Sequence, residues 1–310
     1  MSANEVRKVD IAVCTWNRSN LLSDTLASFS KLSIEPSVRL RIIIVDNNST
    51  DSTPEVIQAF QHSDFANSNS VVPLRETRQG HTYSRNCAID AADSDLMIWT
   101  DDDVEVPSDW VSRYVEAANQ NPEVAFWGAE IAPKFETEIP KWIHENWDTV
   151  KGCFAIREFS GDLELDASRL PYGANFAIRT SVQEKFRFDD SLGRRGEEVL
   201  GEDELDLFRR LLAAGMRGQW VPDAGLSHFI PTSRASEKYV YDYFIGQGRA
   251  LVAKGSPWHE DRELLVKEAK SERQKYKLKR LMSGSQVWVS HMLRSALAQG
   301  QADSLKEDSI

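Results

Sequence analysis

The chain has 310 residues, of which 41% are hydrophobic and 27% charged. This is the balance of an ordinary globular protein and excludes a disordered or fibrous one; the length accommodates one sizeable core, or a catalytic domain with an appendage. A net charge of −11 argues against a broad attraction to nucleic-acid phosphates, so no DNA or RNA partner is expected. The three cysteines, Cys14, Cys87 and Cys153, are scattered and form no C-x-x-C pair, so neither a zinc site nor a disulfide framework is expected. Met1 to Asp10 lacks the apolar core of a signal peptide. No apolar run approaches the ~20 residues that span a bilayer, and a cytoplasmic protein is expected.

The first half alternates between strand and helix patterns. Val9 to Cys14 is a short apolar run that stops at Thr15-Trp16-Asn17. Asn20 then opens a helix whose apolar residues Leu22, Leu26 and Phe29 recur at i, i+4 and i+7. Leu40 to Val45 is a β-branched strand ending at Asp46. Asp51-Ser52-Thr53-Pro54 starts a helix with proline in its first turn, faced inward by Val56, Ile57 and Phe60. Val71 to Leu74 is a strand and residues 81–92 a helix. Leu96 to Trp99 is a strand running into Thr100-Asp101-Asp102-Asp103. Ser108 is read as the cap of a helix bearing Trp110, Val111, Tyr114, Val115 and Ala118, followed by a strand over Val124 to Ala129. Such alternation predicts an α/β fold, a mostly parallel sheet flanked by helices. Ligands of these sheets collect beyond the carboxyl ends of the strands, where Asp46 and the aspartate triplet both fall.

Residues 131–170 read as long loops with short elements. Gly173 to Arg179 is a strand, 203–214 a helix stopped by Gly215, and Trp220-Val221-Pro222 ends another strand. From Ser236 onward helices dominate. The expected division is a catalytic domain over 1–232, its donor half at about 8–130 and its acceptor half at about 131–232, with a helical extension over 233–310.

Three consecutive aspartates repel one another unless a cation offsets them. A hard divalent ion with oxygen ligands does so, whereas a solvated acidic turn is the plainer alternative. An EF-hand is excluded, because Val106 and Ser112 stand where that loop needs Gly and Glu.

Several blocks, in order over roughly residues 8–230, resemble the inverting glycosyltransferases of family 2, which have the GT-A fold. They are Val13-Cys14-Thr15-Trp16-Asn17-Arg18; Ile44-Val45-Asp46-Asn47-Asn48-Ser49-Thr50-Asp51; Arg85-Asn86 after Gly80, with Ser84 in place of the usual alanine; and Asp101-Asp102-Asp103 followed by Pro107 and Trp110. Gly173-Ala174-Asn175-Phe176-Ala177-Ile178-Arg179, Gly201-Glu202-Asp203-Glu204-Leu205-Asp206-Leu207, Trp220-Val221-Pro222 and His228 complete the set.

The resemblance implies roles position by position. Thr15, Trp16 and Asn17 belong to the nucleotide loop, and Asp46 and Asn47 meet the base or ribose of the donor. Asp101 approaches the ribose or the metal, Asp103 is a metal ligand with Asp102 nearby, and Arg85 faces the diphosphate. Asn175 lies on the acceptor strand. Apart from the resemblance, Trp142 and Trp147 stand in an irregular segment rich in aromatics, and two readings are open for them: stacking on acceptor sugar faces, and simple packing. His228 is either a further ligand for the cation, Mn or Mg, or a contact to the diphosphate. Asp203 is the general base, with Glu202 as its alternative. The implied reaction transfers a sugar from a nucleotide-diphosphate donor, most often a UDP-sugar in this family, to a glycan or lipid-linked acceptor, as in cell-surface or extracellular polysaccharide synthesis. Two alternatives stay open: a nucleotidyltransferase, against which the glycine-free Thr15 to Arg18 turn argues, and a noncatalytic sugar-nucleotide-binding protein.

In the extension, Tyr239, Tyr243, Phe244, Leu251 and Val252 describe an amphipathic helix interrupted by Gly246 and Gly248. The basic run Arg273, Lys275, Lys277, Lys279 and Arg280 precedes Leu281, Val287, Trp288, Val289, Met292, Leu293 and Leu297. Two readings stand: a packed helix with a solvated basic face, and peripheral contact with the inner face of an anionic membrane.

Overall fold

The structure is a computed structural model and describes residues 5–161, 163–193, 203–253, 255 and 257–307. β1 (Lys8–Thr15) buries Val9, Ile11, Ala12 and Val13 completely, as a strand covered on both faces must. Asp10 interrupts this run and is equally buried. It is tolerated because Arg41, its register partner on β2 (Arg39–Asp46), donates to both carboxylate oxygens at 2.7 Å, and the Asp93 backbone N–H donates at 3.0 Å.

Between and after these strands come α1 (Ser19–Phe29), α2 (Thr53–Gln61), α3 (Asp64–Ser68), β3 (Ser70–Arg75), α4 (His81–Asp90), β4 (Leu96–Thr100), β5 (Val104–Glu105), α5 (Trp110–Gln120) and β6 (Val124–Gly128). Two expected caps are corrected. α1 begins before Asn20, at Ser19, because Asp51 from another loop accepts from the Ser19 N–H at 3.1 Å and no local cap is needed. α5 is preceded by Asp109, while the Ser108 carbonyl is held by the Ser33 N–H at 2.8 Å. Then follow β7 (Ile131–Phe135), α6 (Lys141–Glu145), α7 (Trp147–Val150), β8 (Glu164–Leu165), β9 (Asn175–Arg179), α8 (Thr180–Gln183), α9 (Asp203–Ala213), β10 (Arg217–Trp220) and β11 (Leu226–Ile230).

The main sheet has the order β3-β2-β1-β4-β9-β6-β10-β8. β1, β2, β3 and β4 run parallel, as do β6 and β10, whereas β9 is antiparallel to both of its neighbours and β8 is antiparallel to β10. The sheet is therefore mixed in its second half. β9 follows a long irregular excursion rather than a crossover helix, so the rule that keeps βαβ strands parallel does not bind it. Its reversed direction sets Asn175, where it starts, opposite Thr100, where β4 ends. A small second sheet, β5-β11-β7, lies outside this order.

Two compact units emerge: residues up to Lys134 with Ala155–Phe229, and Phe135–Phe154 with Ile230–Ile310. The stretch Phe135–Phe154, expected in the acceptor half, thus groups with the C-terminal helices. Within that second unit Phe154 stacks on Trp147 at 6.3 Å and on Tyr239 at 6.5 Å between ring centroids. The helices are α10 (Glu237–Ala253), α11 (Arg262–Met282) and α12 (Ser285–Glu307). Among the described residues no helix is long and apolar enough to cross a membrane.

α10 is not interrupted at Gly246 or Gly248. Gly248 is there because α12 crosses it closely. A Cβ at Gly248 would stand 2.3 Å from the Leu297 carbonyl oxygen, and one at Gly300 would stand 2.0 Å from the Ile245 carbonyl oxygen. Because both obstacles are backbone, a larger residue must part the helices. Gly300→Val gains a few tenths of a kcal/mol in helix propensity but loses about 1–3 kcal/mol to overpacking. A lowered unfolding temperature is expected by calorimetry, and an unchanged one would refute the close crossing.

Candidate functional site

β1 ends at Thr15 and β2 at Asp46, which are register partners, and Thr100 at the end of β4 lies on the other side of β1 opposite Val13. The loops beyond these three ends form one site. Asn17 has a left-handed backbone (φ 52°). Its side-chain oxygen accepts from the Thr50 N–H at 2.7 Å and the Asp51 N–H at 3.3 Å, while its own N–H donates to Ser49 Oγ at 2.9 Å. Asn47 is more fully engaged: Nδ2 donates to the carbonyls of Glu76 (3.1 Å) and Arg78 (2.8 Å), and Oδ1 accepts from the Gly80 N–H (2.8 Å). The whole Asn47 side-chain amide thus braces these loops, and the Asn17 oxygen braces them as well. Asp46 accepts from the Ser49 N–H at 2.9 Å through one oxygen, and the other makes no hydrogen bond among the described residues. Trp16 is half-buried.

The triplet divides its work. Asp102 is buried; it accepts from the Thr15 hydroxyl at 2.7 Å and from Arg18 at 2.5 Å. Burial, opposed by Arg18 and aided by the Asp103 charge, pushes its carboxyl up to about 6. Asp103 is also buried, with Arg18 at 3.0 Å on one oxygen and His228 Nε2 at 3.2 Å from the other. His228 arrives on β11, whose register partner for it is Val104, and the Phe229 N–H donates to the Asp103 carbonyl at 2.7 Å. Ligand atoms of Asp101, Asp103 and His228 all lie within 4.8 Å of one another. Two carboxylates and an imidazole at that spacing fit a divalent cation.

A second charged cluster centres on Arg85, on α4. Its Nη1 lies 2.8 Å from Asp203 and 3.8 Å from Glu204, at the start of α9, and His81 Nδ1 is 3.6 Å from Asp203. Arg85 and Asp203 are 3% and 2% exposed, so this pair is fully desolvated. The guanidinium lies over the Phe188 ring, 4.8 Å from its centroid. It fits only because residue 173 is glycine, where a Cβ would stand 2.4 Å from Nη2. Burial works to raise the Asp203 carboxyl, but Arg85 and His81 outweigh it and hold it well below the usual carboxylate range. Burial and the Asp203 charge push the Glu204 carboxyl up to about 7 against the pull of Arg85.

The clusters are neighbours. The Thr100 hydroxyl, one residue before Asp101, donates to the Ala174 carbonyl at 2.8 Å. Gly173, next along, abuts Arg85, which holds Asp203. The Asp101 charge also helps keep Arg85 cationic, after Asp203 and Glu204 and against the burial that opposes it.

Asn175 is enclosed within the fold. It is 0% exposed, its oxygen accepts from Trp110 Nε1 (3.1 Å) and the Tyr114 hydroxyl (2.8 Å), and its Nδ2 donates to the carbonyls of Glu130 (2.8 Å) and Ala224 (2.9 Å). With its amide saturated, it ties β9 to α5 and to two loops. Trp142 belongs to the second unit, where its ring packs on Trp288 at 5.5 Å. Glu202 lies outside the described residues. Arg18, His81 and Glu204 are further members of the site to which the motif blocks give no role. For Arg18 a signal existed, since a cation in the first loop is well placed to offset acids at the end of the adjacent strand; for His81 there was none.

The sequence profile of glycosyl transferase family 2 matches residues 10–182. The chain is 27% identical over 241 residues to the succinoglycan biosynthesis protein ExoM of Rhizobium meliloti, covering 75% of this chain and 70% of that protein. It is 26% identical over 208 residues to the glucosyl-dolichyl phosphate glucuronosyltransferase of Haloferax volcanii, covering 66% and 63% respectively. Among solved structures it resembles a mannosyltransferase from Pyrobaculum calidifontis in complex with GDP-Man and Mn2+, with a TM-score of 0.56 at 15% identity over 99% of this chain and 76% of that one. The fold is GT-A, with a helical C-terminal region.

Removing one partner of a buried ion pair leaves the other charge stranded. Arg85→Met should cost about 3–5 kcal/mol by urea unfolding at neutral pH. The native Asp203 carboxyl is depressed, so its contribution is full above the unfolded value of about 4 and fades as pH falls through the native one. The gap between variant and wild type should therefore narrow in acid, and a gap independent of pH would refute the pairing.

Proposed function

Because the chain belongs to glycosyl transferase family 2, we propose that it moves a sugar from a nucleotide-diphosphate donor to a hydroxyl of a polysaccharide or lipid-linked glycan, on the cytoplasmic side and with inversion at the anomeric carbon. The observation that carries this reading is the meeting of two acidic clusters beyond the carboxyl ends of the parallel strands, Asp101–Asp103 with His228 and Asp203–Glu204 with Arg85, joined through Thr100, Ala174 and Gly173. The relatives' roles, in succinoglycan biosynthesis and as a glucosyl-dolichyl phosphate glucuronosyltransferase, support the acceptor class. A UDP-sugar remains the first donor to try.

The free carboxylate oxygen of Asp46 would meet the nucleoside, within loops braced by Asn17 and Asn47. Asp101, Asp103 and His228 would hold a divalent cation, which when bound offsets charge on the departing diphosphate. In a single displacement the acceptor oxygen forms a bond to the anomeric carbon, and the bond from that carbon to the diphosphate oxygen breaks with its electrons going to the diphosphate. The hydroxyl proton passes to a carboxylate. Asp203 is that acceptor, fixed in direction by Arg85 and ionised throughout the physiological range. A second reading is favoured by one feature: Arg85 makes Asp203 a weak base, whereas burial and the Asp203 charge push the Glu204 carboxyl up to about 7, closer to the optimum for proton transfer.

Turnover of nucleotide sugars with manganese should release nucleoside diphosphate; release of pyrophosphate from a nucleoside triphosphate and a sugar 1-phosphate would signal nucleotidyl transfer instead. Asp103→Ala should abolish cation-dependent donor binding by calorimetry, and retained binding would remove Asp103 from the cation site. Asp203→Asn should keep donor binding and lower turnover by roughly 10²–10⁴-fold; near-normal turnover ends its role as base. A base acts only when deprotonated. With Asp203 in the role, kcat/KM stays level as pH falls through about 7. A decline there that Glu204→Gln flattens would move the role to Glu204.

A further inference from the structure

We infer that the C-terminal end of α11 and the start of α12 form a docking surface for an anionic lipid bilayer. Leu278, Leu281 and Met282 are 56%, 81% and 75% exposed, and Val287, just inside α12, is 44% exposed. At ~100° per residue, Leu278, Leu281 and Met282 share one face of α11. That face points away from the one carrying Leu265, Ala269 and Glu272, which are buried. Lys277 flanks the apolar stripe on one side, and Lys275 and Lys279 on the other. Among the described residues neither Lys277 nor Lys279 has an ion-pair partner; Lys275 is shared with Glu272 at 2.6 Å and Arg280 with Glu237 at 2.8 Å.

An apolar stripe edged by lysines is the arrangement of a helix lying in a membrane interface. The chain as a whole carries −11, so this concentration of positive charge runs against its average. Charge also selects the occupant. Two copies meeting through this face about a twofold axis would bring lysine against lysine, whereas anionic headgroups complement the rim while acyl chains take the leucines. Among the described residues no helix can cross a membrane, so the contact is peripheral.

The test is co-sedimentation of the full chain with phosphatidylcholine vesicles, with and without phosphatidylglycerol. The wild type should bind only the anionic vesicles. Lys277→Gln with Lys279→Gln should weaken this roughly tenfold or more, and Leu281→Ser with Met282→Ser should weaken it at least comparably. All four positions are solvent-exposed, so circular dichroism should be unchanged. A wild type that stays in the supernatant, or variants that bind like it, would overturn the inference. So would a dimer in solution that Leu281→Ser with Met282→Ser dissociates, because the stripe would then belong to a second copy.

Discussion

Neighbouring carboxylates buried at a strand end repel each other and lose their hydration, so they persist only where positive charge and hydrogen-bond donors meet them. Arg18 supplies that charge for Asp102 and Asp103 together, with the Thr15 hydroxyl and His228 completing the shell. Everything else at this edge is arranged around the same difficulty. Asp203, buried at the start of α9, is met by Arg85, and Asp10, buried within β1, by Arg41. Buried ion pairs contribute little net stability over apolar packing. Two of these three lie where sheets of this class bind ligands, which is where charge has a use beyond stability.

Much of this was legible in the chain. The parallel strands β1 to β4 have apolar runs that end in polar loops, and the order of the motif blocks identified the fold and both acidic clusters. What stayed hidden were partners supplied by tertiary structure. Asn17, Asn47 and Asn175 sit in blocks that resemble a substrate site, yet a primary amide bonds equally well to a ligand or to backbone, and only the folded chain shows which is near. Likewise nothing local marks β5 and β11, each too short or too mixed in pattern to read as a strand, although their pairing brings His228 to Asp103.

Glycine misled in the helices and informed at the site. Gly246 and Gly248 read as breaks because the residue weakens isolated helices. In α10 that penalty is outweighed by packing, since the missing Cβ lets α12 approach to backbone contact. At Gly173 the same absence makes a slot for the Arg85 guanidinium. The two cases share one cause, a neighbour that occupies the space of a side chain, and neither neighbour is local in sequence.

β9 runs against its neighbours, and the Thr100–Asn175 register fixes how far Gly173 stands from the aspartates. The ladder behaves as a ruler. A slip of one residue would carry Gly173 along by ~3.3 Å and turn each side chain of β9 to the opposite face, closing the Arg85 slot and evicting Asn175 from its buried nest. The spacing between the two acidic clusters is thus calibrated by strand pairing at the centre of the sheet, and the loops around it are left free to diverge in length without disturbing that measure.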